Sequence, residues 1–367
     1  MKKYVQEATD ENIWTSIKNN TFGRNKDIKD FIDGLELIDE SACISLDAKW
    51  GDGKTFFVRQ IEEVLKYVLA NQRADEENPI EKLPSYEYLK DNEMMAKIDL
   101  KHSYLPIYYN AWMYDNHSDP LMSLLLVMTK TCRGVYDTKI DSEKISKKLV
   151  EALATLPISL GEFKANPFTA IEKLQGKSMD ILSLVQTEEE IRERVKGIFN
   201  DIIVERAQKL VIFIDELDRC RPSFAIEMLE RIKHYFDDER VIFVVSLNKE
   251  QLIHTITNYY GSGFDATRYL NKFFDVNINL PAMDKYQKQT LEFSEQQTEG
   301  KFWLYKLAEE LSDYYHLSLR DKLIYKSRIE AVPATTGTYT SLESYFVLLF
   351  VASIILLESK DIQEKKK

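Results

Sequence analysis

The amino-acid sequence predicts an α/β fold, a parallel sheet flanked by helices. Short apolar runs alternate with stretches of helical period, the order expected of strand and crossover helix. One of the runs, LVIFI (residues 210–214), is apolar throughout, as a strand covered on both faces requires, and RVIFVVSLN (residues 240–248) reads as another strand. Beyond Pro281 the strand signals stop.

Each element follows from its local pattern. Ile28, Phe31, Ile32 and Leu35 recur at three and four behind a turn holding Gly23, which predicts an amphipathic helix. Ser41 to Asp47 is short and alternating, a strand that runs into a loop with two glycines. After that loop, Phe57, Ile61, Val64, Leu65 and Val68 form the buried stripe of a further helix. Residues 71–104 are polar, and residues 74–93 within them read as a surface excursion of loop and short helix. Leu105 to Trp112 is the next strand, with Trp112 as its packing anchor, and Pro120 opens a buried helix. Residues 133–207 are charged and helical in flavour and read as an insert. Three more strands follow, Lys209 to Asp215, Arg240 to Asn248 and Phe273 to Pro281. Helices around Phe224, Met228, Leu229 and Ile232, and around Leu252 and Ile256, separate them. The expected division is a sheet domain over residues 1–285 and a helical lid domain over residues 286–367.

Composition narrows the function classes. The 367 residues can bury a sizeable core, and 44% hydrophobic with 30% charged residues is a globular balance. A net charge of -11 argues against general affinity for nucleic acid or anionic lipid, because the summed field repels phosphate. Cys43, Cys132 and Cys220 lie far apart with no partner at metal-ligand spacing, so neither a disulfide framework nor a zinc site is expected. For Cys220 a buried small residue is expected rather than a reactive thiol. The longest apolar run, Phe346 to Leu357, falls short of the ~20 residues of a membrane-spanning helix and reads as a buried helix. The N-terminal lysines precede no apolar run, so no signal peptide is read and a cytoplasmic setting is expected.

Two segments carry the chemistry. In DAKWGDGKT (Asp47 to Thr55), a loop between strand and helix, backbone N–H groups and the helix N-terminus can grip phosphate. Trp50, Gly51, Asp52, Gly53, Lys54 and Thr55, with Phe56 behind them, are the candidate nucleotide-binding residues. Gly51 and Gly53 let phosphate approach without a Cβ in the way, Lys54 reaches the β and γ phosphates, and the Thr55 hydroxyl can ligate Mg²⁺. The spacing is that of a Walker A loop with Ala48 in place of the first glycine. The second segment is LVIFIDELD. It ends a central strand in Asp215, a carboxylate for Mg²⁺, and Glu216, the candidate base for the attacking water. A third strand ends in Ser246 and Asn248; Asn248 is the candidate to orient water or sense the γ-phosphate, and it equally suits a turn.

AKWGDGKT, YYNAWMYD, IDELDRCRP, VSLNKEQL and RYLNKFFDVNINLP together resemble the KAP family of P-loop NTPases, a branch of the AAA+/STAND group. The resemblance covers about residues 20–285, and the Asp-Arg-Cys tail is its most discriminating piece. It implies an ATPase core of five parallel strands, with Lys54, Thr55, Asp215 and Glu216 at the γ-phosphate and Mg²⁺. Where the family tends to have Asp, this chain has Glu216, the usual base of AAA+ enzymes. Phe22, Gly23 and Arg24 resemble the segment that lies against adenine. Arg320 in the lid resembles an arginine that neutralises γ-phosphate as the lid closes. Arg219, Arg221 and Arg268 are candidates for a finger supplied across a subunit boundary, so a second copy or a partner protein is expected. The function expected is Mg²⁺-dependent ATP hydrolysis that drives or resets a conformational or assembly switch. Antiviral defence is the setting that the resemblance implies. The alternative is a scaffold gated by bound ATP with little turnover.

Overall fold

The computed structural model describes residues 7–74, 79–117, 119–134, 207–235 and 238–280, with isolated positions 193, 196, 197, 310, 321 and 322. Among these residues the chain builds α1 (Asp10–Lys18), α2 (Asn25–Leu35), β1 (Ala42–Asp47), α3 (Lys54–Gln72), α4 (Tyr86–Leu89), β2 (Tyr104–Asn110) and α5 (Pro120–Gly134). Then come β3 (Lys209–Asp215), α6 (Pro222–Tyr235), β4 (Val241–Leu247), α7 (Lys249–Tyr260), α8 (Ala266–Leu270) and β5 (Val276–Asn279). Arg320, the run from Phe346 to Leu357 and nearly all of the lid expected over residues 286–367 and of the insert read over residues 133–207 lie outside the described residues.

The five strands form one parallel sheet in the order β2-β3-β4-β1-β5. β4 therefore stands between β1, which leads into the glycine loop, and β3, which ends in the acids. Every residue of β3 and β4 is buried, which explains their uninterrupted apolar sequence. Strand period sorts the side chains. Val211 and Phe213 of β3, Ile242 and Val244 of β4, and Ile44 and Leu46 of β1 face a layer made by α3 with α1 and α2 behind it. Ile212, Ile214, Phe243 and Val245 face α5, α6 and α7. The next residue of the first set on β3 is Asp215, and on β4 it is Ser246, so both project to the α3 side of the sheet at its carboxyl end.

The helices form where the spacing predicts. Ile28, Phe31, Ile32 and Leu35 are the buried residues of α2, and Phe57, Ile61, Val64 and Leu65 are buried along α3. α3 departs from a simple stripe, because Gln60, Glu62 and Glu63 are buried too. α1 covers them. Trp14 donates its indole N–H to Glu63 at 2.6 Å, Gln60 donates to Ser16 at 2.8 Å, and Arg59 pairs with Asp10 and Glu62.

Two expectations need correction. The excursion read over residues 74–93 is not only surface, since its Leu89 is buried against the α3 layer, as are Met94 and Leu100 just beyond it. Trp112 does not anchor the second strand. β2 ends at Asn110, whose side-chain oxygen accepts from Met113 N at 3.2 Å and starts a 3₁₀ turn, Ala111–Tyr114, that leaves Trp112 54% exposed.

Candidate functional site

The glycine loop owes its shape to two positive φ angles, 95° at Gly51 and 81° at Gly53. A Cβ would strain either position. Ala48 has negative φ, since among the described residues only Asn20 and Glu216 combine a side chain with positive φ. The alanine in place of the first glycine thus imposes no backbone strain. Gly53 is the N-cap of α3, and the first helical bond runs from Phe57 N to Gly53 O at 3.0 Å. The amides of Lys54, Thr55 and Phe56 therefore precede the ladder and sit at the positive end of a 19-residue helix, a cradle for an anion.

Lys54 is 8% exposed, and its Nζ donates to the carbonyls of Ala48 at 2.6 Å and Lys49 at 3.1 Å. Burial pushes its pKa down, while the charges of Asp218, Asp215, Asp52 and Asp47 act to hold the proton. Lys49 N in turn donates to the Asp52 carboxylate at 3.2 Å, closing the loop on itself.

On the loop's flank, Phe22 is buried and meets Phe56 edge to face at 5.3 Å. Gly23 has φ 65°, and Arg24, 3% exposed, donates Nη2 to the Asp52 carbonyl at 3.1 Å. The segment read from its resemblance thus lies against the loop and the start of α3.

At the end of β3, Asp215 is 1% exposed and both its oxygens are engaged. Tyr108 of β2 donates its hydroxyl to Oδ2 at 3.1 Å, and Glu216 N donates to Oδ1 at 3.0 Å. Tyr108 carries the Arg59 guanidinium over its ring at 4.8 Å, and burial pushes its hydroxyl pKa up. Glu216 lies in the left-handed region at φ 61°, a conformation that costs about 1–3 kcal/mol and is found where a site demands it. Its carboxylate accepts from Asn110 Nδ2 at 3.2 Å and pairs with Arg219 at 3.0 Å. Burial raises its pKa, and Arg219 counters in part. Arg219 also lies over the Trp112 ring at 5.7 Å.

Asn248 is the N-cap of α7, its side-chain oxygen accepting from Gln251 N at 3.2 Å, so the turn-forming reading accounts for that oxygen. Ser246 is different: it is fully buried, and its hydroxyl has no hydrogen-bond partner among the described residues. With Ile214 opposite Val245, it neighbours Asp215. Of the finger candidates, Arg219 is taken by Glu216 and Arg221 by Asp115, at 3.2 Å from Nε. Arg268 is exposed and no side chain among the described residues pairs with its guanidinium.

The donor set suits Mg²⁺ held beside phosphates. Asp215 offers a hard carboxylate and Thr55 a hydroxyl at the start of α3, few enough ligands that nucleotide oxygens and water would complete the shell. The Ser246 hydroxyl, next to Asp215 in the sheet, is a buried polar group with no partner among the described residues, which fits a polar ligand or water at this end of the strands.

Sequence reasoning passed over Tyr108, Asn110 and Asp218, which reach the site from β2 and from the turn after β3. All three stand in quoted motifs, Tyr108 and Asn110 in YYNAWMYD and Asp218 in IDELDRCRP, but nothing local says what they touch. Cys43 and Cys220 are buried and unpaired, with burial pushing the Cys43 thiol up to about 12. Among the described residues no helix is long and apolar enough to cross a membrane.

No curated protein matches the chain. Among solved structures, the Aeropyrum pernix ORC2 protein in ADPNP and ADP complexes is 10% identical with a TM-score of 0.41, covering 89% of this chain. This chain spans 66% of that one, just under two thirds of its length. PCH-2 of C. elegans is 11% identical with a TM-score of 0.32, covering 95% of this chain and 71% of its own. A family model described as the KAP family P-loop domain matches residues 24–320. That span takes in the glycine loop, all five strands and the acids they bring to it, and the chain belongs to the KAP family of P-loop NTPases.

Proposed function

We propose that the chain binds ATP with Mg²⁺ and hydrolyses it, the cycle driving or resetting a conformational or assembly switch. The observation that carries this reading is the constellation on the α3 side of the sheet. A shielded ammonium, Lys54, and a half-buried carboxylate, Glu216, flank Asp215 at one end of three adjacent strands. Lys54 Nζ exchanges the loop carbonyls for phosphate oxygens, and the amides at the start of α3 take the rest of the charge. Thr55 and Asp215 hold the metal, which when bound neutralises charge on the phosphate oxygens. Glu216 takes a proton from water as the water oxygen bonds to the γ-phosphorus and the bond to the β-phosphate oxygen breaks, giving ADP and phosphate. Its raised pKa makes it a stronger base than an exposed glutamate. Ser246 joins Asn248 as a candidate to orient the water.

The remaining parts extend the same reading. Arg320 carries the γ-phosphate signal to the lid, Arg268 is offered to a second copy as its finger, and antiviral defence is the biological setting.

A second reading, a scaffold gated by bound ATP with little turnover, is favoured by one observation. Both oxygens of Glu216 are engaged within the chain, by Asn110 and Arg219, as in a base held at rest. Hydrolysis by wild type and Glu216→Gln, with ATP binding and oligomeric state followed in parallel, separates the two. The hydrolysis reading expects turnover at least a hundredfold above the variant, with binding retained. Equal rates, with both proteins binding and assembling alike, leave the gated scaffold.

A further inference from the structure

Trp50 sits in the glycine loop half-exposed, and neither hydrophobic cluster of the core includes it. Packing does not explain its place. Its one polar atom, a donor only, is spent on Asp218 Oδ2, a residue 168 positions further along the chain. Asp218 is 7% exposed, so its carboxylate needs partners, and among the described residues Trp50 donates to it and the charge of Lys54 acts on it.

Asp218 belongs to the 3₁₀ turn Leu217–Arg219 that follows Glu216 directly. The turn is tight, with Arg219 N on Glu216 O at 3.1 Å and Cys220 N on Leu217 O at 3.2 Å, and Leu217 roots it in the core. Asp218 and Glu216 are thus held in one short turn, with Glu216 in the narrow left-handed region, so the placement of one bears on the other. On the other side, positive φ at Gly51 and Gly53 makes the loop around Trp50 easy to rearrange.

We propose that Trp50 and Asp218 form a positioning strut that ties the tip of the phosphate loop to the turn carrying Glu216, so that the loop's phosphate-filled shape sets the direction of the base. This rests on the hydrolysis reading above. Neither residue touches the reacting atoms through this contact. The strut acts through Glu216, and its loss spares binding more than turnover.

The test compares wild type with Trp50→Phe, Asp218→Asn, Asp218→Ala and the Trp50→Phe/Asp218→Ala double variant, each checked for folding by its melting curve. Trp50→Phe keeps the ring and loses the donor; Asp218→Asn keeps an acceptor for it. MgATP binding at equilibrium and steady-state turnover are measured for all. We expect kcat to fall about tenfold in Trp50→Phe, the scale of one lost charge-assisted hydrogen bond, with affinity changed less than about threefold. Asp218→Asn retains more turnover than Asp218→Ala, and the double variant is no slower than Asp218→Ala alone. Wild-type kcat in Trp50→Phe, or additive losses in the double variant, overturns the strut. A readout independent of hydrolysis is the emission of Trp50, taken as wild type minus Trp50→Phe. It shifts in Asp218→Ala and on adding ATP, and an emission indifferent to both overturns the strut. If wild type hydrolyses ATP no faster than Glu216→Gln, the hydrolysis reading has failed, while the emission arm still judges the contact.

Discussion

At the scale of single residues, the glycine loop shows how backbone conformation ranks positions that look alike in sequence. Ala48 occupies a position with negative φ, where glycine offers no advantage, whereas Gly53 sits at φ 81° and caps α3. Ala48→Gly should therefore leave ATP affinity within about twofold, since it relieves no strain. Gly53→Ala should weaken binding roughly tenfold, because an L-residue in the left-handed region costs about 1–2 kcal/mol and the loop relaxes away from its phosphate-gripping shape. Equilibrium binding of ATP to the two variants checks both. Glu216 makes the complementary point. Its left-handed backbone is kept where a glycine would be cheaper, which marks the carboxylate as worth the strain.

At the scale of elements, the ends of helices and strands decide what the side chains nearby can do. Asn248 caps α7, so Asn248→Ala should cost about 1 kcal/mol and lower Tm, while Asn248→Asp keeps the accepting oxygen and should hold Tm close to wild type. If Asn248→Asp nevertheless loses turnover, its amide N–H groups act in the site; unchanged turnover leaves that task to Ser246. The turn that leads into β4 offers a test by pH. Asp238 accepts from Arg240 through both oxygens, at 2.9 Å from Nε and 2.7 Å from Nη2, and that pairing holds its carboxyl below the usual range. A depressed folded-state pKa contributes stability above the unfolded value of about 3.9 and loses it as pH falls through the folded one. Arg240→Gln should thus lower Tm modestly at pH 7, by an amount that shrinks as the pH is taken down toward 3. A difference that persists in acid would mean that the Arg240 stem, not its charge, stabilises the turn.

At the scale of the whole molecule, the site is assembled from β1, β2, β3 and β4 and the loops that follow them, so a ligand there clamps the sheet and its α3 layer together. Binding to the native state alone stabilises by about 2.7 kcal/mol at a ligand concentration a hundredfold above Kd. A clear rise in Tm with MgATP is expected for wild type and none for Lys54→Ala, read by thermal melts at increasing ATP. A Lys54→Ala protein that is stabilised as fully as wild type would sink both the hydrolysis and the gated-scaffold readings. The net charge of -11 means that attraction for an anion has to come from local fields, of which Lys54 and the start of α3 are the candidates.

Among the described residues the strands, most helices and the two segments of the candidate site were legible in the sequence, because those signals are local. Apolar runs mark β3 and β4, the spacing of Phe57, Ile61, Val64 and Leu65 marks α3, and loop glycines and strand-end acids need no partner to be recognised. Only the tertiary structure decided how the halves are held. Tyr108 reaches Asp215 because β2 lies beside β3, Arg24 reaches Asp52 because α2 opens against the loop, and Trp50 reaches Asp218 across 168 residues. It also decided the exceptions to local pattern. Glu62 and Glu63 are buried because α1 packs over them, with Trp14 donating to Glu63, while Arg59 and Lys66 pair their charges, and Trp112 turns outward because Asn110 ends its strand early. Periodicity reports which face of an element is covered, and the identity of what covers it depends on strand order, which no local stretch of sequence carries.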